Sequence, residues 1–163
     1  EEIEGDSASA AELYALLSAS SVVPILQDMF ITGAINQDGT ILPVGGVTEK
    51  IEGVFSAFEQ LGLTGEQGVI VPRRNVENLV LRRRIRDAVA DGRFHIHAID
   101  RIEDGWPLLT GMEAGIMQED ETFPEGTVHH LVVRQLDEFV REWSSMGSDG
   151  PRLEESDPQD HGE

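Results

Sequence analysis

The chain contains no cysteine, and lysine occurs only once, at Lys50; the remaining basic side chains are arginines. Without cysteine there is no disulfide framework, no thiol nucleophile and no cysteine-based zinc site. The sequence also lacks a signal peptide and any apolar run near the ~18 residues that a membrane-spanning helix needs. These absences favour a cytoplasmic protein with no membrane partner.

The charge that is present is mostly negative. There are 31 acidic residues against 12 basic ones, which gives a net charge of −19 over 163 residues. This balance argues against a nucleic-acid partner and against an anionic membrane surface. The length fits one domain, and 39% hydrophobic residues with 17 glycines are typical of a globular chain.

Local patterns alternate between strands and helices. They predict helices over 7–20, 47–61 and 128–146, helical segments within 74–92, strands at 68–72 and 94–99, a short helix or turn at 102–111, and a hairpin around Asp38–Gly39. The first helix is expected to be mostly buried, because its residues are small or apolar nearly all round. The alternation indicates an α+β fold, a mixed α/β arrangement in two layers.

The composition changes after Gly111, where a polar, acidic stretch leads to the last predicted helix. We therefore expect a main domain over 1–111 and a C-terminal extension with a helix over 112–146. The final residues, 147–163, are acidic and carry Pro and Gly, so a disordered tail is expected there.

Lys50 lies at the edge of the apolar face of the helix predicted over 47–61. At 100° per residue it is about 60° from Val47 and next to Val54. The structural interpretation is that its long stem extends from this position to solvent. The functional interpretation is that the amine is partly desolvated and acts as a general base, which an arginine cannot do. The position of Lys50 on the helical wheel is compatible with both interpretations.

The segment EGDSAS (4–9) places two serines at a turn that leads into a helix. A serine at such a position is most often a helix cap. A hydroxyl there also has backbone N–H groups nearby, which suit a developing oxyanion. Serine and lysine together form a known nucleophile–base pair, so catalysis is the alternative to capping.

Several ordered motifs resemble the proteolytic domain of the Lon family of ATP-dependent serine proteases. They are EIEGDSASAAEL, MFITGAINQDGTILPVGGVTEKIEG, GVIVPRRNVENL and FHIHAI, and they cover roughly residues 1–111. The GDSAS form is similar to the archaeal, B-type and related bacterial branches of the family rather than to the DGPSAG form of its best-known bacterial enzymes. The resemblance implies the Lon proteolytic-domain fold without its first strands, because the family's domain begins before this motif. An open sheet edge is expected as a result.

The resemblance also selects site residues. The family's spacing between nucleophile and lysine, counted back from Lys50, selects Ser7 as the nucleophile and makes Lys50 its base. Ser9 falls where the other branch has glycine, so it is interpreted as a helix-start residue. Thr32 corresponds to the threonine that hydrogen-bonds the lysine amine.

Two acidic residues, Glu4 and Asp6, match those that flank the nucleophile in the B-type branch, and two interpretations stay open for them: a supporting role in which they modulate the lysine, or capping of the helix. The resemblance implies a serine endopeptidase domain of an ATP-dependent protease that degrades unfolded or damaged proteins in a prokaryotic cytoplasm. No metal or other cofactor is expected in this chain. ATP and Mg are expected in an AAA+ ATPase module elsewhere in the same polypeptide, which is expected to form a homo-hexamer.

Two other classes of function remain open. The domain could be a catalytically inactive oligomerisation or scaffold domain, with Ser7 as a cap and Lys50 as a solvated side chain. It could also be a small-molecule-binding α/β domain with a chance GDSAS. The glycine-rich PVGGVTEK lacks the spacing of a phosphate-binding loop, which argues against nucleotide binding there.

Other conspicuous residues have structural interpretations. His95 and His97 alternate on one face of a strand, without a convincing third metal ligand. Trp106 and Trp143 are interpreted as packing residues. A basic patch is expected to form salt bridges on a solvated face or to a neighbouring subunit, and it consists of Arg73, Arg74, Arg82, Arg83, Arg84 and Arg86.

Overall fold

The computed structural model describes residues 5–147, and the structural statements below refer to that part of the chain. The helices are α1 (Ser9–Ser21), α2 (Val47–Leu61), α3 (Arg73–Val76), α4 (Arg83–Ala90), α5 (Trp106–Thr110) and α6 (Val128–Gly147). The strands are β1 (Met29–Ile31), β2 (Ala34–Ile35), β3 (Ile41–Leu42), β4 (Gly68–Pro72) and β5 (His95–Ile99). A 3-10 turn, Ile102–Gly105, precedes α5.

Three of the strands form a parallel sheet in the order β1–β4–β5. Ile31 of β1 is in register with Ile70 of β4, which is in register with His97 of β5. Parallel neighbours require crossover connections. The first contains β2, β3 and α2, and the second contains α3 and α4. Within the described residues β1 pairs only with β4, so it forms one edge of the sheet; the absence of the family's first strands stays a prediction.

The central strand, β4, is buried along its whole length. Because alternate side chains of a strand point to opposite faces, it contributes to two cores. Ile70 packs with residues of α1, α5 and α6, whereas Val69 and Val71 pack with residues of α2 and α4. The mixed α/β class is thus confirmed. Helices cover both faces of the sheet, which is one layer more than the two expected from the sequence.

Helix α2 has the bounds that its periodicity predicts. Its buried side chains lie on one face, and they are Val47, Ile51, Phe55 and Phe58. Burying an aliphatic or phenylalanine side chain of this size contributes about 1.5–3 kcal/mol, so this face fixes the helix against β4 and α4. Gly46, directly before the helix, has φ 67°, a left-handed conformation that glycine adopts without strain.

The hairpin predicted around Asp38–Gly39 is confirmed, with β2 and β3 antiparallel and Ala34 opposite Leu42. Asn36 Oδ1 accepts the N–H groups of Asp38 and Thr40 and closes the turn. The apolar run before the turn divides, however. Its first part, β1, pairs with β4, and only β2 belongs to the hairpin.

Helix α1 is buried on one side only, which corrects the expectation of a mostly buried helix. Ala10 and Tyr14 have no exposed surface, whereas Leu16 is 63% exposed. The helix packs against the core that includes α5 and α6, and its other side faces solvent. Because small residues occupy both sides of α1, the sequence does not show which side is buried.

The C-terminal helix predicted over 128–146 is confirmed as α6. Val128 and Val132 enter the core shared with α1, but the later turns leave it. Trp143 is 79% exposed, so its interpretation as a packing residue is wrong. Trp106 is fully buried, as expected, with its ring 5.1 Å from that of Tyr14 in an edge-to-face arrangement. Residues 148–163, which hold nearly all of the predicted tail, lie outside the described residues.

Between residues 5 and 147, no helix is both long and apolar enough to cross a bilayer.

Candidate active site

Lys50 lies in the first turn of α2. Its backbone N–H donates to the carbonyl of Gly46, which ties the residue to the glycine that starts the helix. The side chain is half-buried, and its Nζ donates to Thr32 Oγ1 at 3.0 Å. The pair expected from the resemblance is therefore formed in the structure.

Thr32 follows β1 and is only 7% exposed. Its N–H donates to the carbonyl of Ile70 at 3.1 Å, which continues the pairing of β1 with β4. Its hydroxyl accepts from Lys50 and donates to the backbone carbonyl of Ser7 at 3.3 Å. A hydroxyl has one donor and two acceptor positions, so both bonds form together. Thr32 thus links the lysine to the serine segment.

The segment that carries Ser7 is fixed to the chain beyond β1. The Gly33 N–H donates to the Ser7 carbonyl at 2.9 Å, and the Ala10 N–H donates to the Gly33 carbonyl at 3.2 Å. Gly33 is also closely surrounded on the side where a side chain would lie. A Cβ there would lie 3.1 Å from Cγ2 of Ile41, with Pro72 and Ala10 also within contact distance.

The two serines of GDSAS have different surroundings. Ser9 Oγ donates to the Asp6 carbonyl at 2.8 Å and accepts the Ile35 N–H at 3.1 Å, so it joins the turn to β2. Ser9 is the first residue of α1, as expected. The Ser7 hydroxyl forms no hydrogen bond with another residue of the described part. Of the two hydroxyls, that of Ser7 is therefore available for chemistry.

Ser7, Thr32 and Lys50 line one cavity of about 320 Å³. Apart from these three, its lining is apolar and consists of Ala8, Phe30, Ile31, Val54 and Val69. Phe30 is 49% exposed and packs edge-to-face on Phe58, with ring centres 5.7 Å apart. The arrangement offers a hydroxyl and an amine in a small, largely apolar cleft.

The turn that carries Ser7 has two backbone N–H groups without a partner in the described residues. The N–H groups of Ser9 and Ala10 are not among them, because they already donate to the carbonyls of Asp6 and Gly33. Those of Ser7 and Ala8 donate to no other residue in the 5–147 range. They are the donors of this turn that a ligand oxygen can use.

The acidic neighbours differ from the three residues above. Asp6 is exposed and does not line the cavity; it contributes to the turn through its backbone carbonyl, which accepts from Ser9. Glu4 lies outside the described residues. Supporting roles for both stay predictions.

Other features lie away from this cavity. His95 and His97 stack on β5 with ring centres 5.9 Å apart, and burial, then the charge of His95, holds the pKa of His97 below its ordinary value. No group of three potential metal ligands occurs in residues 5–147. A larger cavity of about 1090 Å³ lies along β5, and Ser7, Thr32 and Lys50 do not line it.

Four of the six arginines of the basic patch form surface salt bridges, as predicted, whereas Arg74 and Arg86 form none within the described residues. Arg82 pairs with Glu52 at 3.0 Å and Arg84 with Glu59 at 2.8 Å, and both pairs join α4 to α2. Further pairs involve Arg73 with Asp100 and Arg83 with Asp87.

The sequence interpretation missed two contributors. Phe30 lines the cavity, and a signal existed, because it stands two positions before Thr32 and residues at that spacing share a strand face. Asn75 bonds to the backbone of Val44, upstream of Lys50. Periodicity carries no signal for this contact, since the two residues are 31 positions apart.

Comparison with known proteins identifies relatives of this chain. The family model for the Lon protease (S16) C-terminal proteolytic domain matches residues 3–106. A Lon protease homolog of Escherichia coli (strain K12) is 50% identical over 111 residues, 68% of this chain and 19% of that protein. A second, from Haemophilus influenzae (strain ATCC 51907 / DSM 11121 / KW20 / Rd), is 38% identical over 138 residues, 83% of this chain and 23% of that protein.

An archaeal Lon protease from Archaeoglobus fulgidus (strain ATCC 49558 / DSM 4304 / JCM 9628 / NBRC 100126 / VC-16) is 36% identical over 104 residues, 64% of this chain and 15% of that protein. The chain therefore spans only about a fifth of the length of the curated relatives it matches.

Proposed function

Because this chain belongs to the Lon protease family through the C-terminal proteolytic domain, we propose that it is a serine endopeptidase domain in which Ser7 is the nucleophile and Lys50 the general base. Membership of the family supports peptidase activity. The observation that carries the residue assignment is the bond from Lys50 Nζ to Thr32 Oγ1 in a cavity that Ser7 also lines.

The proposed reaction is acyl transfer. The neutral Lys50 amine takes the proton of Ser7 Oγ as that oxygen attacks the carbonyl carbon of the scissile peptide bond. The N–H groups of Ser7 and Ala8 stabilise the oxyanion of the tetrahedral intermediate. The protonated amine then gives its proton to the leaving nitrogen as the C–N bond breaks, and water hydrolyses the acyl-enzyme by the same steps.

Thr32 holds the lysine amine in this scheme. Its hydroxyl donates to the Ser7 carbonyl, so its lone pairs face the Lys50 amine. A long side chain can adopt many rotamers, and only some of them place the amine where it can take the proton of Ser7. The hydrogen bond to Thr32 limits these rotamers and so raises the fraction of molecules with a productive geometry.

The whole protein's activity is part of the proposal. We place an AAA+ ATPase module with ATP and Mg elsewhere in the polypeptide, a homo-hexamer as the assembly, and unfolded proteins as the substrates. Casein hydrolysis by the full-length protein, with and without ATP and Mg, tests the ATP dependence.

Two substitutions in the full-length protein test the dyad. Ser7→Ala is expected to lower kcat for an unstructured fluorogenic peptide at least ~1,000-fold. Lys50→Arg keeps a long basic side chain but replaces an amine that can be neutral with a guanidinium that stays protonated, so a loss of at least ~100-fold is expected. Ser20→Ala, whose hydroxyl bonds only within α1, is the matched control and should retain full activity.

Circular dichroism establishes that each variant is folded. Unchanged hydrolysis by Ser7→Ala would refute the dyad, whereas a folded wild-type protein that hydrolyses neither peptide nor casein would favour the scaffold function.

A further inference from the structure

The side chain of Asn75 forms two hydrogen bonds with the backbone of one residue, Val44. The Val44 N–H donates to Asn75 Oδ1 at 3.1 Å, and Asn75 Nδ2 donates to the Val44 carbonyl at 2.9 Å. A carboxamide presents an acceptor and a donor side by side, as the C=O and N–H of one residue in an extended strand do. Asn75 therefore pairs with Val44 much as a neighbouring strand would.

Val44 belongs to the segment that leads into the helix of Lys50. Gly45 and Gly46 follow it, and two consecutive glycines give a chain unusual conformational freedom. Gly45 has no neighbour that a Cβ would touch within 4 Å, so side-chain packing does not restrain that position. The two Asn75 bonds fix Val44, the residue directly before this glycine pair.

Asn75 is itself held by the central sheet. It lies in α3, which directly follows Pro72 at the end of β4. The neighbouring Arg73 donates to the carbonyl of Ala98 in β5 at 2.7 Å. The contact to Val44 therefore connects the rigid sheet to the start of α2.

We propose that Asn75 is a positioning residue, whose carboxamide fixes the segment before α2 and with it the direction in which Lys50 reaches Thr32. This inference rests on the proposed Ser7–Lys50 function. Asn75 does not line the catalytic cavity and touches no reacting atom; it acts through Val44 and the helix start.

Two substitutions of Asn75 in the full-length protein test the proposal. Asn75→Asp keeps the size but loses the donor, and it places a carboxylate oxygen against the Val44 carbonyl. Asn75→Ala removes both bonds without adding charge. A misdirected base lowers the chemical step, so we expect kcat for peptide hydrolysis to fall about 10- to 100-fold, with KM within about twofold.

The chain provides a matched control in Asn78. This residue is exposed, lies three positions away and forms no side-chain hydrogen bond with the described residues. Asn78→Asp and Asn78→Ala make the same chemical changes and should leave kcat unchanged. Hydrogen exchange over residues 41–47 is expected to accelerate only in the Asn75 variants, because Val44 loses a partner.

The kinetic constants are expressed per folded molecule, measured by circular dichroism, so that a loss of stability alone does not count. If both Asn75 variants keep kcat per folded molecule within twofold of the wild type while Ser7→Ala is inactive, the positioning role is wrong and the dyad stands. If Ser7→Ala is active, the dyad itself is wrong.

Discussion

The two serines of the GDSAS segment illustrate how neighbouring residues of one type acquire different tasks. Ser9 Oγ bridges the Asp6 carbonyl and the Ile35 N–H, whereas Ser7 lines the cavity and its hydroxyl has no hydrogen-bond partner among the described residues. From the local sequence alone, either serine could be a nucleophile at the start of a helix. The bonds of Ser9 explain why a hydroxyl at that position serves structure.

Ser9→Ala separates these tasks. The change leaves the Ile35 N–H without its partner, so we expect the free energy of unfolding to fall by about 1–3 kcal/mol, as urea denaturation measures it. Peptide hydrolysis should remain clearly measurable, because Ser7, Thr32 and Lys50 are retained. A folded Ser9→Ala protein as inactive as Ser7→Ala would contradict the choice of Ser7 as nucleophile.

At the scale of elements, two glycines in the chain have opposite surroundings. Gly33 lies where β1 and α1 meet, and a Cβ there would be 3.1 Å from Ile41 Cγ2 and 3.4 Å from Pro72 Cγ. Gly53 lies within α2, exposed, and a Cβ there would touch nothing within 4 Å. The first glycine is required by packing, whereas the second weakens a helix.

The same substitution is therefore expected to act with opposite signs. Gly33→Ala should destabilise the fold by about 1–3 kcal/mol, because the added Cβ overpacks the contacts with Ile41 of β3 and Pro72 of β4. Gly53→Ala should stabilise it by about 0.5–1 kcal/mol through helix propensity. Urea denaturation of the two variants measures both effects, and a stabilising Gly33→Ala would show that Ile41 and Pro72 do not pack as closely on Gly33 as the structure indicates.

The elements also show what the sequence can and cannot predict. The bounds of α2 and β4 follow from local periodicity and from the glycines beside them, so the pattern predicts them well. The pairing of β1 with β4 and the bonds of Asn75 to Val44 depend on contacts between distant residues, which no local pattern encodes. Trp143 shows the same limit, because an apolar helix face predicts burial but not what covers it.

The residues of the candidate site were easier to predict from the sequence than the residues that hold them in place. Ser7, Thr32 and Lys50 lie in motifs whose order and spacing resemble a known family, and the structure brings them to one cavity. Their catalytic roles stay predictions. The residues that hold them in place, Ser9 and Asn75, act through hydrogen bonds whose partners only the fold reveals.

For the molecule as a whole, two electrostatic effects oppose each other. The net charge of −19 destabilises the compact state through repulsion between acidic groups. The described residues also form seven ion pairs at the surface, which salt weakens. Exposed pairs contribute only about 0–1 kcal/mol each. Because acids outnumber bases 31 to 12, most acidic groups have no basic partner, and repulsion should dominate.

Raising NaCl from ~0.05 to ~0.5 M should therefore stabilise this chain, since screening removes more repulsion than attraction. We expect an increase on the order of 1 kcal/mol, which raises the melting temperature by about 2–4 °C at this length. Matched triple variants test the cause. Neutralising Glu66, Glu77 and Glu119, which have no ion-pair partner in the described part, should raise stability at low salt and reduce the salt dependence.

The matched triple neutralises paired acids instead, namely Glu59, Asp87 and Glu138. It removes the same amount of negative charge but also three attractions, so its stability gain at low salt should be smaller. Calorimetry of both variants across the salt series separates the two effects. A melting temperature that falls with added NaCl would mean that the ion pairs outweigh the repulsion, and the variant without the three paired acids would then be less stable than the wild type at low salt.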